Sequence, residues 1–208
     1  MKLGPALIAA LLAGCSLGSA PALDADLLIR GGTVYTGDAA PFTGDIAIRG
    51  DRIVAVGPGL RVSATRTIDA TGMIVAPGFI DPHTHAGEWL ASPNPKTRLI
   101  PAFLLQGVTT AFIGNDGGGS TDIAGVLASP KTKPVGINFA TYVGVGAIRE
   151  QVVGGANRAP TPAELDREKA LVKKGMCEGA IGFSTGLFYA PQSFSRTDEV
   201  IALSAEAA

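Results

Sequence analysis

The chain has 208 residues, 46% of them hydrophobic, with 28 glycines and a formal net charge of −1. That length supports one good core or two small ones. The near-neutral charge argues against a nucleic-acid binder that works by neutralising phosphates, and no apolar run reaches the roughly 20 residues that span a bilayer.

Met1 to Ala22 reads as a targeting segment outside the fold. Lys2 is a short positive start, and Leu3 to Ala13 is an apolar stretch too short to cross a membrane. It runs into Leu12-Ala13-Gly14-Cys15, which resembles a bacterial lipobox, with Cys15 as the lipidation site; cleavage after Gly18-Ser19-Ala20 is the alternative. Either route implies export, to the periplasm or to the envelope, with membrane contact only through the lipid anchor. Cys177 is the other cysteine, so no disulfide framework is expected; at the end of a predicted helix it reads as a small buried thiol.

Residues 25–78 read as short strands. Asp26 to Arg30 and Thr33 to Thr36 flank Gly31-Gly32. Gly44 to Arg49 and Arg52 to Val56 flank Gly50-Asp51, a two-residue hairpin signal with glycine first. Thr67 to Gly72 is a strand and turn, and Met73 to Ala76 another strand. No catalytic residue types cluster here, so the reading is structural.

From Phe79 the texture changes to strand-then-helix alternation, the pattern of a parallel α/β sheet or barrel. Phe79 to Asp81 is the first strand. Thr97 to Gln106 is apolar at helical spacing and ends at Gly107. Val108 to Ile113 is the second strand, Gly114 to Ser120 its glycine-rich loop, and Thr121 to Ala128 a short helix. Val135 to Val143 is the third strand. Thr161-Pro-Ala-Glu164 is a capping box with proline at the first helical position; its helix runs to about Met176, with Leu165, Val172 and Met176 toward the sheet. Ala180 to Phe183 is the fourth strand, and Ser195-Arg-Thr-Asp198 opens a last helix.

The chemistry concentrates in Asp81-Pro-His-Thr-His85. Two residues apart on a strand, His83 and His85 point to one face, and Pro82 ends the ladder there. They are the two histidines of the chain. Paired imidazoles at a strand end are nitrogen ligands for zinc or a similar divalent ion. Sites on such folds gather at the C-terminal ends of strands. The second strand ends at Asn115-Asp116, so Asp116 is either a third ligand or a turn residue with Gly117.

Ala76-Pro-Gly-Phe-Ile-Asp-Pro-His-Thr-His85 resembles the first-strand signature of the amidohydrolase superfamily. Gly182-Phe-Ser-Thr-Gly-Leu-Phe-Tyr-Ala-Pro191 and Gly144-Val-Gly-Ala-Ile-Arg149 resemble its N-acyl-D-amino-acid deacylase (D-aminoacylase) branch. The resemblance implies a mixed α/β protein: the first four strand–helix units of a TIM-like barrel over 79–208, preceded by a β-sandwich half-domain at 25–78. It implies a hydrolase acting on the C–N bond of N-acyl-D-amino acids, with a small-molecule substrate and a divalent metal.

Where the branch usually carries a cysteine ligand, this chain has Asp116, which keeps an anionic ligand but hardens it. Where the family often has histidine, it has Val145. Ser184 and Tyr189 are candidates to contact substrate, against simple packing of Phe188 and Tyr189. Arg149 is either a carboxylate binder or a surface arginine. The family's later histidine ligands find no match, and its proton-moving aspartate belongs to a last strand not found here. The resemblance therefore implies an N-terminal fragment without amide hydrolase activity of its own. A dihydroorotase, hydantoinase or D-peptidase relative is the alternative, opposed by the lack of the strand-four lysine at Ile181 to Thr185. A non-catalytic exported binding module is the third reading.

Overall fold

The computed structural model describes residues 22–208. The expected leader, with Cys15, lies outside the described residues except for Ala22. The chain divides into two compact units, with the division between Pro77 and Gly78.

The first unit is a mixed sheet. β1 (Leu23–Val34) pairs antiparallel with β2 (Phe42–Arg49), and β2 with β3 (Arg52–Gly57). On its other side β1 runs parallel to β4 (Val62–Asp69) and to the short β5 (Ile74–Val75). The two strands expected around Gly31-Gly32 are one strand. An irregular register between Ile29 and Gly32, with Gly31 at φ +73°, absorbs the glycines without ending it. Leu28 and Ala47 sit in the core, while the Asp45 carboxylate accepts the Gly31 and Leu60 N–H groups and closes two loops.

In the second unit, β6 (Phe79–Asp81), β7 (Val108–Ile113) and β8 (Asn138–Thr141) lie side by side and parallel in chain order. β9 (Val143–Gly144) continues the run of β8 after Tyr142, whose N–H turns to the Ile113 carbonyl, and β9 pairs parallel with β10 (Phe183–Ser184). The fourth strand is thus shorter and later than expected, although Ile181 N–H to Thr141 carbonyl and Val143 N–H to Gly182 carbonyl extend the pairing.

Short helices α1 (Gly87–Leu90), α2 (Pro95–Arg98) and α3 (Pro101–Leu104) follow β6. The continuous helix expected over 97–106 is broken at Ile100. Pro101 disfavours helical geometry in the residue before it, and Ile100 takes φ +48° with its side chain fully buried. Leu99 and Leu104 are consequently exposed. α4 (Ile123–Ala128) follows β7, capped by Asp122.

α5 (Val145–Val152), α6 (Pro162–Cys177) and α7 (Thr197–Ala207) form the second core around Ile123, Val143, Ile148, Val172 and Leu203. The α6 capping box forms as read, and Leu165, Val172 and Met176 face that core. α5 was not legible, because Gly144-Val-Gly looks like the continuation of a strand. α7 starts at Thr197 without a side-chain cap; the Ser195 hydroxyl instead donates to Glu199. Cys177 is exposed, not buried: it ends α6 on the face away from Val172.

Candidate metal centre

Each element around the histidines has a local cause. Asp81 ends β6 and accepts the His83 N–H with its carboxylate, turning the chain at Pro82. Thr84, between the histidines, points the other way and is buried. Its N–H and its hydroxyl both donate to the Phe112 carbonyl near the end of β7, the hydroxyl at 2.8 Å. The Asn115 amide donates to the carbonyls of Thr84 and Phe112, each at 3.0 Å. Thr84 and Asn115 together bolt the His-Thr-His segment to the end of the neighbouring strand. The imidazoles are left on the open side, with 62% and 75% of their side-chain surfaces exposed.

Asp116 follows Asn115 in the left-handed region at φ +55°. Non-glycine residues there are uncommon and concentrate where surrounding structure enforces the geometry. The enforcing contacts come from the far end of the chain. Ser184 Oγ donates to the Gly114 carbonyl and accepts the Gly117 N–H, clamping the loop on either side of Asp116. The buried Gln192 amide donates to the Asp116 carbonyl at 2.7 Å and accepts the Gly186 N–H at 2.8 Å.

The result brings His83, His85 and Asp116 to one point, their ligand atoms all within 4.8 Å of one another; among the described residues they are the group that could hold a metal ion. Asp116 Oδ2 lies 3.4 Å from His83 Nε2 and 3.3 Å from His85 Nε2. Those distances discriminate between two readings. A charge-assisted N–H···O bond would be about 2.7–2.9 Å. Two ligands held at about 2.0–2.1 Å on a tetrahedral ion stand roughly 3.3–3.4 Å apart. The donor set, two neutral-capable imidazoles and one carboxylate, also suits zinc. An open recess of about 530 Å³ lies beside His85, lined by Thr84, Gly87, Glu88, Gly114 and Asn115 among others.

The other sequence-derived candidates fare differently. Arg149 is neither a surface residue nor free for a ligand. It is fully buried on α5, donating to Glu199 at 2.5 Å and to the Arg158 carbonyl. The Ser184 hydroxyl is engaged on the glycine-rich loop in both directions, so its work is on the protein's own backbone. Tyr189 is half exposed and stacks edge-on against Phe188, which is 90% exposed. Thr84, Asn115 and Gln192 were missed. A small polar residue between two candidate ligands is the one signal that points to Thr84, since an extended segment sends it to the opposite face.

The amidohydrolase family profile matches residues 66–122, a stretch that contains both histidines and Asp116. Over that stretch the chain is similar to the amidohydrolase superfamily. Within it, the similarity is to D-aminoacylases and their kin. A D-aminoacylase of Alcaligenes xylosoxydans xylosoxydans is 36% identical over 85% of this chain and 40% of its own length. The crystal structure of a D-aminoacylase, described as defining a novel subset of amidohydrolases, superposes with a TM-score of 0.79 at 33% identity, covering 87% of this chain and 42% of that one. An N-acyl-D-glutamate deacylase from Bordetella bronchiseptica, complexed with zinc and a phosphonate inhibitor, superposes with a TM-score of 0.78 at 30% identity, covering 88% and 43%. The chain thus spans about two fifths of the length of these relatives.

Proposed function

We propose that His83, His85 and Asp116 hold zinc or another divalent ion, and that the protein is a metal-dependent deacylase acting on the amide bond of N-acyl-D-amino acids. The observation that carries this reading is the convergence of the three side chains at the ends of adjacent parallel strands, with Asp116 standing from each imidazole at the spacing of two ligands on a tetrahedral ion. The similarity to D-aminoacylases and the zinc in the Bordetella deacylase support the choice of metal and bond.

When bound, such an ion polarises a carbonyl and makes water a better nucleophile near neutral pH. The chain's own residues hold and orient it. The two imidazoles stand on the solvent side, so a substrate carbonyl can reach them. Asp116 adds the negative charge that offsets part of the ion's, with an oxygen where the branch usually offers sulfur. Thr84 and Asn115 fix the direction of both histidines. Of the two hydroxyls considered for substrate, Tyr189 is the one left open to solvent, and we assign it to contact with the acyl or carboxylate group.

In the same reading, the parallel run of β6, β7, β8–β9 and β10 forms the opening strands of a TIM-like barrel, and the sheet of residues 25–78 is part of a small β-sandwich. The alternation of strand and helix in the second unit supports this.

The test is hydrolysis of N-acetyl-D-amino acids by the protein carrying this chain. The expected result is release of the D-amino acid but not its L-enantiomer, lost on chelation and restored by zinc, and abolished by His83→Ala. Metal binding without D-selective hydrolysis would overturn the substrate assignment. Undiminished activity in His83→Ala would overturn the site.

A further inference from the structure

We propose that Gln192 is a positioning residue for the metal site, holding Asp116 in the backbone conformation that aims its carboxylate at the two histidines. This rests on the reading of Asp116 as a ligand and adds to it a residue 76 positions away. Asp116 sits at φ +55°, a left-handed conformation uncommon for a residue with a Cβ and better tolerated by aspartate than by most, so its neighbours help to hold it there. The carbonyl of Asp116 accepts the Gln192 amide N–H at 2.7 Å, and the same amide accepts the Gly186 N–H at 2.8 Å. Both ends of the amide are therefore committed, which fixes which end faces Asp116.

The surroundings leave the amide little freedom. Gln192 is buried. A Cβ built on Gly117 would fall 1.9 Å from Gln192 Oε1, and one on Gly186 would fall 2.3 Å from the Asp116 carbonyl oxygen. Two glycines thus let the loops close here, Gly117 against the Gln192 side chain and Gly186 against the Asp116 backbone. Ser184 ties down Gly114 and Gly117 on either side of the aspartate, but Gln192 is the side chain that contacts the backbone of Asp116 itself. Groups that orient metal ligands typically contribute 10–100-fold to metal affinity.

The experiment measures zinc affinity by competition with a chelating dye, and the visible absorption of the cobalt-substituted chain, for wild type, Gln192→Leu, Asp116→Ala and the double variant. The expected result is a loss of about 10–100-fold for Gln192→Leu with a changed cobalt spectrum. The double variant should bind no worse than Asp116→Ala, because aiming a carboxylate that is gone has no further effect. A merely structural role for Gln192 would make the two losses add, and that result overturns the proposal. Wild-type affinity and spectrum in Gln192→Leu, with Asp116→Ala impaired, also overturns it while leaving the ligand assignment standing. Wild-type affinity in Asp116→Ala removes the ligand assignment and this inference together. Should Gln192→Leu fail to fold, Gln192→Glu reads the same contact. It keeps the shape and the acceptor for Gly186 but sets an oxygen against the Asp116 carbonyl, and wild-type affinity there overturns the proposal.

Discussion

Thr84 and Asn115 show how much of the proposed metal site lies behind its candidate ligands. The Phe112 carbonyl receives the Thr84 N–H, the Thr84 hydroxyl and the Asn115 amide. Thr84→Val removes one of three donors to that oxygen and the hydroxyl that accepts the Ala86 N–H in a long 3.4 Å contact, so we expect about 1 kcal/mol. Asn115→Ala removes two bonds and strips the Thr84 carbonyl of its side-chain partner, so we expect about 2 kcal/mol. Urea unfolding measures both, and Thr84→Val proving the more damaging would contradict this account. Asp116→Cys tests the ligand chemistry at the same scale: a thiolate is softer than a carboxylate, so the ratio of cadmium to manganese affinity should rise by at least tenfold, on the order of 1.4 kcal/mol. An unchanged ratio would show that residue 116 does not touch the metal. The meeting of the histidines with Asp116 was legible from the sequence because strand-end position is a local signal, although His83 and His85 lie just past β6 and not on it. Their supports were not: Thr84 to Phe112 spans 28 residues, Asn115 to Thr84 31, and Gln192 to Asp116 76. Only the fold makes those pairs neighbours.

At the scale of elements, α5, α6 and α7 enclose three charged side chains. Arg149 pairs with Glu199, while both carboxylate oxygens of the fully buried Glu168 accept no hydrogen bond from the described residues. Burial, and secondarily the charge of Glu199, push the Glu168 carboxyl up to about 7 from an ordinary 4.5, with Arg149 opposing and Glu164 adding slightly. The folded state therefore holds this proton more tightly than the unfolded chain does. Its contribution to stability is present below pH 4.5, falls as pH rises from about 4.5 to about 7, and is level above that. Glu168→Gln should flatten this part of the pH profile and make the protein more stable than wild type at pH 8, by on the order of 2–3 kcal/mol. Thermal melts at pH 5 and pH 8 measure it; a variant less stable than wild type at pH 8 would mean that Glu168 is ionised and paired. The same helices show where element reading succeeds and fails. α6 carries its own start signals in Thr161, Pro162 and Glu164, and they form. The segment before β7 has helical spacing in Leu99, Ile100, Phe103 and Leu104, but Pro101 in its middle outweighs it. β10 is too short for any period to show, and its pairing with β9 is held by register rather than by residue type.

On the scale of the molecule, each unit leaves apolar surface in contact with water. In the first, Ile53, Val54 and Val56 on the edge strand β3 are exposed, and Ile53 and Val56 line a recess of about 340 Å³ with Tyr35 and Val75. In the second, Phe79 and Ile80 of β6, which pairs with β7 on one side, are 65% and 63% exposed. Apolar side chains on an edge strand combine two hazards: area that water disfavours, and backbone groups that can pair with another chain. We expect the 208-residue chain to bind a hydrophobic dye such as anilinonaphthalene sulfonate while folded, and to self-associate as its concentration rises. Ile53→Lys should reduce that association. A lysine on an edge opposes strand pairing, and at 63% exposure the native side chain contributes little packing to lose. Phe79→Lys probes the other unit in the same way, at some risk to β6, which leads into His83. Light scattering across a concentration series, alongside circular dichroism to confirm the fold, separates the two contributions. A chain that stays monomeric at every concentration and leaves the dye dark would show that these surfaces are not available to water.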